Sequence, residues 1–85
     1  MNIKQHYCIV TQEEANEARE LLVMAGEEVF KTELAFKVVL DHNCLMFDDE
    51  LNKWFVCCLV SSDSIKITYP QFKEMLNAKI KGDGK

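Results

Sequence analysis

Two kinds of apolar spacing alternate along the chain. Residues 6–10 form a short, mostly apolar run that reads as a strand. Thr11-Gln12-Glu13-Glu14 then has the form of a capping box, with Thr11 as N-cap and Glu14 three residues on. Ala15, Ala18, Leu22 and Ala25 recur at helical spacing beside Leu21, and Gly26 stands where a helix-ending glycine belongs. The spacing predicts a helix over 12–25. From Phe30 the period shortens. Phe30, Thr32, Leu34, Phe36, Val38 and Leu40 hold the even positions, with Lys31, Glu33 and Lys37 on odd ones. Side chains alternate across a strand, and the aromatic and β-branched content favours one, so a long strand is predicted over 30–40.

Asp41-His42-Asn43 reads as a turn, 44–47 as a short strand, and Asp48-Asp49-Glu50-Leu51-Asn52 as a polar hairpin loop. Residues 53–60 give the strongest strand, Ser61-Ser62-Asp63-Ser64 a further turn, and 65–68 a last strand. The final element is a helix. Thr68 or Tyr69 caps it, and Pro70 falls in its first turn, where a missing N–H costs nothing. Phe72, Met75, Leu76 and Ile80 make its apolar stripe, and Lys79 and Lys81 sit at the end that the helix dipole favours for cations. The predicted order is β-α-β-β-β-β-α. Hairpin-length turns imply a mostly antiparallel sheet of four or five strands with two helices, an α+β two-layer sandwich. One domain over 1–80 and a fraying tail over 81–85 are expected.

The heptapeptide Trp54-Phe55-Val56-Cys57-Cys58-Leu59-Val60 is apolar at each position. On a strand, Trp54, Val56, Cys58 and Val60 share one face, and Phe55, Cys57 and Leu59 the other. Val38-Val39-Leu40 repeats the pattern briefly. A strand that is apolar on both sides wants cover on both. Two short helices shelter one face only, so the second face should carry an apolar patch of the kind that marks interfaces. Trp54, Phe55, Val56, Leu59 and Val39 are therefore candidates for contact with another protein chain, either a different partner or a second copy. The alternative is a sheet that curls over itself or is crossed by the long 30–40 segment.

Composition narrows the classes. With 85 residues, 48% of them hydrophobic, the chain has enough for one core and too little for two. No apolar run approaches the ~20 residues that span a bilayer, and the first residues lack the apolar stretch of a signal peptide. A cytoplasmic protein with reduced thiols is the expectation. Net charge is −4, with twelve acids against five bases in 1–63 and five lysines against two acids beyond. That balance argues against nucleic acid as the main ligand. Glu13, Glu17 and Glu20 form an acidic ridge on the first helix that could steer a basic partner; the plainer account is a solvated helix face.

Two His-x-Cys units, His6-Tyr7-Cys8 and His42-Asn43-Cys44, place an imidazole and a thiol on one side of a strand. Together they could be drawn as a zinc site, or Cys8 with a histidine as a nucleophile and base. Their spacing matches no finger or ribbon, and buried thiols with surface histidines are the preferred account. Asp41, Asp48, Asp49 and Glu50 lack the spacing and glycine of an EF-hand and suit turns. There is no phosphate-binding glycine loop and no nucleophile elbow, so no catalytic role and no cofactor is expected.

The framing segments are Thr11-Gln12-Glu13-Glu14-Ala15 after a short strand and Ile67-Thr68-Tyr69-Pro70-Gln71-Phe72-Lys73-Glu74-Met75-Leu76 at the end. In this general layout the chain resembles small accessory proteins encoded by bacteriophages and other mobile elements. The resemblance implies a non-enzymatic inhibitor or regulator that binds a host protein stoichiometrically. It names no target and carries over no site residues. A zinc- or thiol-dependent protein and a self-associating structural protein are the alternatives.

Overall fold

The computed structural model describes residues 3–58 and 62–82. A 3-10 turn at Ile3–Gln5 leads into strand β1 (His6–Ile9), helix α1 (Gln12–Met24), a second 3-10 turn (Glu33–Phe36), strands β2 (Cys44–Asp48), β3 (Lys53–Cys57) and β4 (Ile65–Lys66), and helix α2 (Tyr69–Ile80). The architecture is α+β, with two helices over a four-stranded sheet of order β3-β2-β1-β4.

Both helices begin where the capping chemistry says they should. The Thr11 hydroxyl accepts from the Glu14 N–H, and the Glu14 carboxylate accepts from the Thr11 N–H at 2.9 Å. Thr68 and Gln71 repeat the arrangement for α2, which makes Thr68 the cap. At the end of α1, the Gly26 N–H donates to the Val23 carbonyl and the Glu27 N–H to that of Leu22. This Schellman closure needs the left-handed backbone that Gly26 adopts at φ +82°.

Ala15, Ala18 and Leu22 of α1 and Phe72 and Leu76 of α2 are buried against Cys8, Leu45, Phe47, Trp54 and Val56 of the sheet. The two alanines let α1 sit close, and Trp54 fills the centre at 0% exposure. Its indole meets Phe47 and Phe72 edge-on, with centroids 5.5 and 5.4 Å away.

The structure departs from the sequence expectation in two places. First, residues 30–40 are not a strand. Glu33–Phe36 winds into a 3-10 turn, and of the alternating apolar set only Phe36 is fully buried, while Leu34 is 77% exposed. The backbone there is satisfied by side chains of α1 instead of by a neighbouring strand. The Gln12 amide donates to the Phe36 carbonyl at 3.0 Å and its oxygen accepts from the Val38 N–H at 2.8 Å. Arg19 donates to the Lys31 carbonyl at 2.7 Å, and its guanidinium lies over the Phe36 ring. Only residues 28–30 keep to the sheet, running along the outer edge of β3 through the Trp54 N–H to the Glu28 carbonyl and the Phe30 N–H to the Trp54 carbonyl. Secondly, the sheet is mixed. β1 is antiparallel to β2, as β2 is to β3, but parallel to β4, so β3 and β4 occupy opposite edges and do not form a hairpin. β3 ends at Cys57, and the predicted continuation through Leu59 and Val60 lies outside the described residues.

Candidate functional site

Cross-strand register assigns each strand residue to a face, because directly opposed residues project to the same side. Leu45 pairs with Val56 and Phe47 with Trp54, and these belong to the helix-covered core. Cys44 pairs with Cys57, Met46 with Phe55 and Asp48 with Lys53 on the opposite side. β1 extends that side with Ile9, opposite Cys44, and with Tyr7, which is paired with Lys66 of β4. Burial pushes the Cys44 thiol pKa up, Cys58 nearby adds to the rise, and the Lys66 ammonium opposes it in part.

Among the described residues, the resulting open face is apolar through its middle. Phe55, Met46, Cys44, Cys57 and Tyr7 are half-buried among one another, and Ile9 is 46% exposed. Phe30, carried in by the edge segment, extends the patch with its ring 5.4 Å from that of Phe55, and the Lys53 ammonium lies over the Phe30 ring. Charge is confined to the margins: Lys66 on β4, Glu28 on the edge segment, and Asp48 opposite Lys53 at the hairpin end. Asp48 is engaged there as a turn former, its carboxylate accepting from the Glu50 and Leu51 N–H groups. At the Cys44 end stands the 39–42 hairpin, closed by two Val39–His42 backbone bonds and tipped by Leu40 at 95% exposure.

The sheet edges are poor docking points by comparison. Residues 28–30 occupy the β3 edge. β4 is two residues long and carries Lys66, both features that blunt an edge against strand addition.

The sequence-derived interface set divides on this geometry. Phe55 lies on the open face and Val39 on the exposed hairpin beside it. Trp54 and Val56 lie under the helices, with no surface to offer a partner. Leu59 is outside the described residues. Glu13 and Glu20 are exposed on α1. Glu17 between them is also exposed, but it is engaged within its own chain, accepting from the Tyr69 hydroxyl at 2.6 Å and the Lys73 ammonium at 3.1 Å. Those two hydrogen bonds hold its carboxyl below the ordinary range. The acidic ridge therefore loses its middle member to a clamp between α1 and α2.

The two His-x-Cys units do not converge. His6 and Cys8 are buried on the helix side, His42 is exposed on the hairpin, and Cys44 faces the open side. Among the described residues no group of three His, Cys, Asp or Glu side chains is placed to hold a metal ion. Burial, with Glu14 and Cys44 nearby, pushes the Cys8 thiol up to about 12, which keeps it protonated and unsuited to attack at neutral pH.

Tyr7, Ile9, Met46, Phe30 and Lys66 complete the face and were not singled out from the sequence. The alternation of 6–9 and 44–48 carried part of the signal. Parity alone did not say which half of each strand would meet the helices.

No protein-family model matches the chain, and neither a curated protein nor a solved structure matches it. Among the described residues, no helix is long and apolar enough to cross a membrane.

Proposed function

We propose that this protein is a small non-enzymatic interaction module whose open sheet face binds another protein chain. One observation carries the proposal: a continuous apolar surface of Phe55, Met46, Cys44, Tyr7 and Ile9 on the side of the sheet away from both helices. Apolar patches of this kind, rimmed by charge, mark association surfaces. The exposed acids Glu13 and Glu20 lie on the other side, on α1, and serve solubility and steering. In the setting suggested by the layout, such a module acts as a phage-encoded inhibitor or regulator held on a host protein.

The test is binding of a hydrophobic dye and recovery of a partner from the native host, each compared between the wild type and Met46→Lys. The proposal expects dye binding and stoichiometric recovery by the wild type, and loss of both in a variant with unchanged circular dichroism. A wild type that stays monomeric and binds neither dye nor partner defeats it.

A further inference from the structure

Across the four strands, the middle of the open face reads Phe55, Met46, Tyr7, Lys66, with Phe30 of the edge segment outside Phe55. Phe55 is paired with Met46 and Tyr7 with Lys66, and continuing the β1–β2 register by one step from Cys8 and Leu45 sets Tyr7 opposite Met46. The row is complementary to its own reverse. When two such faces stack about a two-fold axis parallel to the strands, strand order is inverted across the interface and level along the strands is kept. Phe55 of each copy then meets Lys66 of the other, and Met46 meets Tyr7. An ammonium over an aromatic ring and a thioether against one are both favourable contacts. A two-fold axis running across the strands would set Lys66 against Lys66.

We infer that the partner of the open face is a second copy of this chain, stacked sheet to sheet in that aligned orientation. The inference rests on the interaction reading above and names its occupant. Charge distribution favours it. The chain is acidic overall, at −4, yet among the described residues the four strands of the open face carry one acid, Asp48, which stands opposite Lys53, and Glu28 stands outside them on the edge segment that bears Phe30. Face-to-face stacking sends the Glu13 and Glu20 side of each copy to the outside of the pair, where like charges are furthest apart.

Area sets the strength. Five residues each in β2 and β3, four in β1 and two in β4, at about 4.8 Å spacing and about 3.3 Å rise, give a projected face of about 250 Å². A standard interface buries about 800 Å² per partner, so the dimer belongs with the weak, reversible associations. The hairpin bearing Val39 and Leu40 adds apolar surface at one end.

Sedimentation velocity over a concentration series from micromolar to millimolar tests this. The wild type should rise toward twice the monomer mass. Phe55→Lys places two ammonium groups together in the aligned dimer and should weaken dimerisation about tenfold or more. The swap Phe55→Lys with Lys66→Phe re-forms the pair in reverse and should restore association. Lys66→Glu, at an exposed site that leaves the core alone, should weaken it in the same sense and serves if Phe55→Lys fails to fold. A wild type that stays monomeric to millimolar concentration overturns the second-copy assignment, as does a folded swap variant that remains as weak as Phe55→Lys. If that monomer still binds hydrophobic dye through a site lost in Met46→Lys, the interaction reading survives. If it binds neither dye nor partner, both fall.

Discussion

The indole N–H of Trp54 donates to the carboxylate of Glu27 at 2.9 Å, across 27 positions of sequence. The same carboxylate accepts from the ammonium of Lys79 on α2, and the Glu27 side chain is only 4% exposed. One acid just past the end of α1 thus joins the central aromatic ring of β3 to the last turn of α2. Removing it leaves a buried indole N–H unpaired while the exposed Lys79 ammonium turns to water, so Glu27→Ala should cost about 1–3 kcal/mol. Trp54→Ala, which empties the core centre, should cost about 3–5 kcal/mol. Urea unfolding measures both. A Trp54→Ala protein as stable as the wild type would contradict the placement of that ring.

Acid should weaken the fold through the two carboxylates that tie α1 to α2. For Glu27, burial raises the pKa, but the hydrogen bonds from Lys79 and Trp54 outweigh it, and the net shift is downward. Glu17 is lowered by Tyr69 and Lys73. A carboxyl whose folded pKa lies below its unfolded value stabilises above the unfolded value, 4.5 here, and loses that contribution as pH falls through the folded one. Urea midpoints should therefore drop below about pH 4.5, and Glu17→Gln should show a shallower drop.

Base should act in the opposite sense. Burial raises Cys8 from 9.0 to about 12, and burial together with the Glu17 hydrogen bond raises Tyr69 above its ordinary 10.0. Groups with raised folded pKa values contribute fully below their unfolded values and lose that contribution as pH climbs toward the folded ones. Stability should fall above about pH 9, and Cys8→Ala should lessen the fall. In the native protein at neutral pH, exposed Cys58 should alkylate readily and buried Cys8 only at the rate of unfolding. Mass spectrometry of timed alkylation reads the order, and equal rates for the two would refute it.

Gln12 holds the irregular 31–38 connection by two hydrogen bonds, to the Phe36 carbonyl and from the Val38 N–H. Gln12→Ala should cost about 1–2 kcal/mol and raise hydrogen exchange at the Val38 amide, while the amides of α2 keep their protection. Unchanged exchange at Val38 would show that the connection is held by other means.

Local chemistry in the chain determined the two helices, their caps and the apolar character of β3. Thr11 with Glu14, Thr68 with Gln71, and Gly26 act within a few residues of themselves, so their effect is written in adjacent positions. The β2–β3 hairpin is of the same kind, since Asp48 and Asn52 close it locally. Tertiary structure decided the rest. Residues 30–40 carry strand periodicity, but the Gln12 and Arg19 side chains on α1 take their backbone groups, and strand periodicity cannot show that no strand waits alongside. The parallel pairing of β4 with β1 depends on a crossing between opposite sheet edges. Whether Trp54 or Phe55 faced the helices was open for the same reason: a strand that is apolar on both sides has no preferred side until the helices choose one. That choice went with the larger ring, whose N–H found a partner at Glu27, and it left Phe55, Met46 and Tyr7 as the outward surface.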